Sequence, residues 1–183
     1  MHIHWAGIAT VVVALGFATA CASKDATGPN ISLSREEVLA LAGELGDAMS
    51  VIAIPNLGDD SLHGSASCPD GGSASVTGGY GAATAPTGDS VAFTAAATVT
   101  WNGCKTVRYQ TDGPLDLTGS GTVTSSSTVA HAIAKGALTV MTSDGRSGAC
   151  DIDVAVSYTA SGVLREYLVT GSACGVDVAG RYH

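Results

Sequence analysis

Two hydrophobic rhythms divide the chain. From Val38 the apolar residues fall at three- and four-residue steps: Val38, Leu41, Leu45, Ala48, Met49 and Ile52. That spacing places them on one face of a helix. Leu39 and Ala42 widen the face, and Glu36, Glu44 and Asp47 lie off it. Ser34-Arg35-Glu36-Glu37 stands just before the run and reads as a capping box. The Ser34 hydroxyl accepts the Glu37 amide, and the Glu37 carboxylate reaches back. Leu33 and Val38 form the hydrophobic staple around it, and Pro55 stops the helix, which is predicted over Arg35–Ala53. Its apolar face needs a partner. A membrane-surface helix would carry Lys and Arg on the opposite side. This helix is acidic, so packing on the protein's own sheet is predicted.

From Cys68 onward the rhythm has a period of two. Ser73–Tyr80, Val91–Trp101, Lys105–Thr111, Leu115–Thr124, Val129–Thr142, Cys150–Thr159 and Val163–Val178 are rich in Val, Thr and alternation. Ile152, Val154, Val156 and Tyr158 interleave with Asp151, Asp153, Ala155 and Ser157, the pattern of a strand with one face buried. Turn residues punctuate the strands: Thr87-Gly88-Asp89, Asn102-Gly103, Asp112-Gly113-Pro114, Asp144-Gly145 and Ser161-Gly162. Asn-Gly and Asp-Gly favour hairpins because both central residues take positive φ. Short connections make antiparallel neighbours. The predicted fold is mainly β: an up-and-down meander of about six or seven strands with one N-terminal amphipathic helix packed on it.

The first twenty residues follow neither rhythm. After Met1-His2-Ile3-His4-Trp5 the chain is apolar from Ala6 to Phe17 and closes Ala18-Thr19-Ala20-Cys21. The run is too short to span a bilayer and ends in small residues, as a secretory signal does. A Cys directly after them resembles the lipobox of bacterial lipoproteins. The usual Leu of that motif is Ala18 here, and the head carries two His instead of Lys or Arg. An ordinary A-x-A signal also fits, and both cut after Ala20. The chain has five Cys, and exported proteins seldom keep a lone thiol. Lipid on Cys21 leaves four that pair, which favours the lipoprotein reading. The organisation expected is a signal peptide (1–20), a lipid-anchored tether (21–32) without periodicity, and one domain (33–183). By resemblance, Ala22 after the acylated Cys implies export to an outer membrane, facing the periplasm or the cell surface.

Composition narrows the functions. Asp and Glu outnumber Lys and Arg by 16 to 8, for a net charge of −8. Nucleic acid would require a basic surface. Anionic lipid would not be gripped electrostatically either. With 45% hydrophobic residues the chain folds, but only 5% are aromatic, so the core is made of small side chains and gains much from disulfides.

Few residues suggest chemistry. Gly88-Asp89-Ser90-Val91 is similar to the nucleophile block of the GDSL hydrolases. Those enzymes place it after a buried parallel strand and carry an Asp-x-x-His; here the block sits in a turn-rich loop and that second motif is missing. A serine nucleophile also needs a His in reach. His131 lies in an alternating stretch and reads as a sheet-surface residue. Asp151 and Asp153 share one face of a strand and could hold Ca²⁺ or work as acid and base. They fit a solvated face equally, as do Asp59-Asp60 with His63. The Cys spacings contain no C-x-x-C, and the glycines form neither a Walker nor a Rossmann pattern. No cofactor or metal is expected.

The four remaining Cys allow three connectivities. Cys68–Cys104 and Cys150–Cys174 are chosen because residues equally distant from a turn face each other. The second pair centres on Gly162, which sets Val154 opposite Thr170 and Val156 opposite Leu168. The first centres on Pro86 and sets Val76 opposite Ala96. It also requires a bulge near Gly103 or a one-residue shift. The expected function is a non-catalytic, lipid-anchored envelope protein, structural or interacting with another envelope component. The alternatives are a carrier of a hydrophobic ligand between helix and sheet, and a hydrolase using Ser90.

Overall fold

The computed structural model describes residues 30–53, 57–58, 61–85, 88–162 and 164–182. The leader, Cys21, the tether up to residue 29, and Asp59-Asp60 lie outside them. Helix α1 covers Arg35–Ala53, with the bounds its pattern predicts. The capping box is formed: the Glu37 amide donates to Ser34 Oγ at 3.2 Å, and the Ser34 amide donates to Glu37 Oε2 at 2.8 Å. Leu33 and Val38 are both buried around it. Glu36 and Glu37 in the first turn also suit the positive end of the helix dipole.

Among the described residues ten strands form one antiparallel sheet. They are β1 (Leu57–Gly58), β2 (Ser61–Ser67), β3 (Ser73–Thr84), β4 (Ser90–Lys105), β5 (Tyr109–Thr124), β6 (Ser127–Thr142), β7 (Ser147–Ser161), β8 (Leu164–Ala173), β9 (Val176–Asp177) and β10 (Gly180–Tyr182). β1 to β8 lie in sequence order; β10 pairs with β8, and β9 pairs with the end of β8. The meander is therefore larger than six or seven strands. β2 lies outside the predicted strands because SLHGSAS has little β propensity and its inward positions are Leu62, Gly64 and Ala66. The long C-terminal stretch is three strands, broken where Cys174 takes φ 51°.

The domain also begins earlier than the sequence suggests. Asn30 bridges Ala149 in parallel, and the Ile31 amide donates to the Ala149 carbonyl at 2.9 Å. Ile31 is buried, so the last residues assigned to the tether belong to the fold.

Two of the expected turns are not turns. β4 runs straight through Asn102-Gly103, where its register with β5 shifts between Trp101 and Cys104. Gly103 has φ 57°, and its amide donates to Asp112 Oδ1 at 2.6 Å. The positive φ serves a bulge instead of a hairpin. As a result both Trp101 and Cys104 point inward, although three residues apart on a strand they would otherwise face opposite sides. Asp112-Gly113-Pro114 lies inside β5 beside that bulge, with Pro114 exposed opposite Thr100.

Both chosen disulfides are present, with Cα–Cα distances of 5.4 Å for Cys68–Cys104 and 4.1 Å for Cys150–Cys174. The second is slightly shorter than the usual span of about 4.4–6.8 Å. The registers around them differ from expectation. Val76 faces Val99, not Ala96. Cys68 sits at the end of β2 and reaches β4 through the β2–β3 turn, so the bridge does not staple one hairpin. In the β7–β8 hairpin Val154 faces Gly171 and Val156 faces Val169, one residue from the expected register. Ser161 pairs with Leu164, which leaves a two-residue loop and an off-centre midpoint. Cys174 still meets Cys150 because it leaves the extended conformation, its amide donating to the Asp151 carbonyl at 2.7 Å.

Val38, Leu41, Leu45 and Ala48 of α1 share a buried cluster with Leu62, Val76, Val99, Trp101, Leu138 and Val154 of the sheet.

Candidate functional site

The polar side of α1 is held by two arginines from the turns of the sheet. Arg146, in the β6–β7 turn, bonds the Glu37 carboxylate through Nη2, Asp144 through Nε at 2.9 Å, and the Ser32 carbonyl through Nη1 at 2.9 Å. Arg108, in the β4–β5 turn, donates from Nε to Glu44 Oε1 at 2.6 Å. Thr106 Oγ1 and the Arg108 amide donate to the other Glu44 oxygen, at 2.5 and 3.2 Å. The Tyr109 hydroxyl donates to the Glu37 carbonyl at 2.8 Å, and Arg35 Nη2 donates to the Ala179 carbonyl at 2.9 Å.

These contacts set the charge states. The hydrogen bond from Arg146, then the Ser34 amide, lower the Glu37 carboxyl to about 2. Burial pushes Glu44 up, but hydrogen bonds from Thr106 and Arg108 outweigh it and the net shift is downward. A hydrogen bond from Thr142 is the main reason that Asp144 is lowered. All three are carboxylates that accept several donors. The arrangement is a clasp between helix and turns. Its hydroxyls, those of Ser34, Thr106 and Tyr109, are all engaged in hydrogen bonds within it. In the sequence Glu37 is legible only as a cap residue, and Arg108 and Arg146 are not legible at all. Neither has a local pattern, because their partners lie far along the chain.

The residues singled out for chemistry are not brought together. Ser90 starts β4, opposite Thr124. His131 is exposed on β6 and pairs with Ser120 and Ser157. Through Ser120 its row continues to Thr94 of β4. Ser90 is then about 13 Å further along β4 and two strands away, about 10 Å across. The same-face neighbours of His131 along its strand are Val129 and Ile133, so no carboxylate stands there to orient the ring.

Asp151 and Asp153 do share the outer face. Asp153 faces Lys135 and Ser172, and Lys135 faces Asp116 in turn. Thr98 Oγ1 donates to Asp116 Oδ1 at 2.6 Å. This row of alternating charge is ordinary cross-strand pairing on a solvated face. His63 is exposed on β2, opposite Thr77. Among the described residues no group of three or more His, Cys, Asp or Glu is placed to hold a metal ion. The four described cysteines are consumed in disulfides and offer no thiol.

No known protein family matches the chain. No curated protein and no solved structure shows significant similarity to it.

Proposed function

We propose that this is an exported, lipid-anchored domain, attached through Cys21 to the outer membrane of the cell envelope, that acts without catalysis as a structural or interaction module. The observation that carries the reading is the pairing of the four cysteines of the fold. Disulfides of this kind persist in oxidising compartments outside the cytoplasm. They also account for every Cys except the one that follows the signal-like segment. The distance between Ser90 and His131 weighs against the hydrolase. In this reading α1 is the cover of the sheet's inner face. Leu41 and Leu45 are buried, at 3% and 6% exposure, among sheet side chains. Filled contacts of that sort suit a fixed cover better than a carrier's groove.

Mass spectrometry of the mature protein tests the anchor. A diacylated or triacylated N-terminal Cys21 is expected. An unmodified Cys21, or a chain that retains Met1, would end the proposal.

A further inference from the structure

We infer that one rim of the sheet, made by the β2–β3, β4–β5 and β6–β7 turns, faces and touches the bilayer, with Val107 at its tip. The inference rests on the lipid-anchor reading and adds an orientation to it. The three turns form one continuous rim. The Lys105 amide donates to the Gly71 carbonyl at 2.8 Å, and the Asp70 amide to the Lys105 carbonyl at 3.1 Å. The Ser143 amide donates to the Arg108 carbonyl at 2.9 Å. The chain coming from Cys21 joins the fold at this same rim, since Asn30 bridges Ala149, near the start of β7. Eight residues, 22–29, lie between Cys21 and Asn30, so nine Cα–Cα steps connect them. Fully extended they reach at most about 30 Å. A strand of sixteen residues such as β5 is longer, about 50 Å. An anchored Cys21 therefore keeps the rim near the headgroups, while the opposite turns stand away from them.

The rim's chemistry fits that contact. Val107 is 79% exposed, the most exposed large hydrophobic side chain described. It lies between Lys105 and Arg108 in sequence; the Lys105 stem suits an interface and its head a phosphate, while Arg108 is engaged by Glu44. In a protein of net charge −8, three carboxylates at this rim, Glu37, Glu44 and Asp144, are engaged by Arg146 and Arg108. Asp70 remains exposed on the β2–β3 turn. Zwitterionic headgroups are thus the partner, and an anionic surface is not needed.

The test uses the full acylated chain in phosphatidylcholine vesicles that carry a nitroxide quencher at headgroup depth. An environment-sensitive fluorophore is attached at Val107→Cys in one preparation and at Leu164→Cys in another. Leu164 is 74% exposed at the opposite end. Quenching several-fold stronger at position 107 than at 164, unchanged by added salt, is the expected result. Equal quenching, or stronger quenching at 164, in a chain whose Cys21 is acylated overturns the orientation alone. Recovery of an unacylated chain overturns the anchor and the orientation together.

Discussion

The two ends of the sheet's inner face are built from different materials. At the rim end, α1, two disulfides and the arginine clasp surround a broad cluster that includes Trp101, Leu138 and Val140. At the other end the buried cluster is Phe93, Ala130 and Tyr158, with Tyr80, Val123, Ala160 and Tyr167 partly buried around it. Register explains how so little covers the sheet there. Phe93, Gly121, Ala130, Tyr158 and Tyr167 lie in one row across β4 to β8. The Phe93 ring occupies the space above Gly121, where an added Cβ would come within 2.6 Å of Phe93 Cζ. The Tyr158 and Tyr167 rings meet at 4.8 Å. A ring laid over its neighbour's glycine covers the sheet across two strands. One end is therefore held by covalent and ionic ties as well as by burial. The other depends on a single aromatic row, so it should open at lower free energy.

The largest effect tests the rim end. Leu45→Ala should lower unfolding stability by about 2–5 kcal/mol, because Leu45 is buried among sheet side chains. A change under about 0.5 kcal/mol in urea titration would mean that α1 adds little to the fold. Replacing Cys150 and Cys174 together by Ala should cost about 3–4 kcal/mol from chain entropy. If amide exchange then rose equally at both ends of the sheet, the bridge would not belong to the rim end alone.

Two glycines sharpen the contrast. Gly121→Ala places a methyl group within 2.5 Å of the Val129 carbonyl and against the Phe93 ring. Overpacking of this kind costs about 1–3 kcal/mol. Neutral behaviour in thermal unfolding would show that the aromatic row is loose. Gly43→Ala, on α1, meets nothing within 4 Å and should stabilise by about 1 kcal/mol. A loss of stability there would reveal a close contact on that side of the helix.

The smallest effect is the acid response of the clasp. Glu37 has a folded value of about 2, below its ordinary 4.5. Its contribution is complete above the ordinary value and is lost as pH falls towards about 2. Glu37→Gln should lower the melting temperature slightly at neutral pH and flatten the decline across that acid window. Parallel curves for the two proteins would show that the Arg146 contact does not stabilise the fold.

What could be read from the sequence was what depends on near neighbours. The ends of α1, its capping box and its buried stripe follow from residues within a few positions of one another. The antiparallel meander and both cysteine pairs followed from alternation and turn spacing, although the register that supported each pair was off. β2 escaped because Gly64 and Ala66 fill its inward positions with almost no hydrophobic signal.

Tertiary structure decided the rest, for one recurring reason. A glycine with positive φ can close a hairpin or kink a strand, and the local sequence is the same. Gly145 lies in the β6–β7 turn, whereas Gly103 makes a bulge because the Asp112 carboxylate, on the neighbouring strand, takes its amide. The bulge brings both Trp101 and Cys104 to the inner face, where the core and the disulfide need them. Likewise Arg108 and Arg146 find Glu44 and Glu37 only after more than sixty and more than one hundred residues of chain have folded between them. Contacts at that distance leave no periodic trace in the sequence, because no local spacing constrains them.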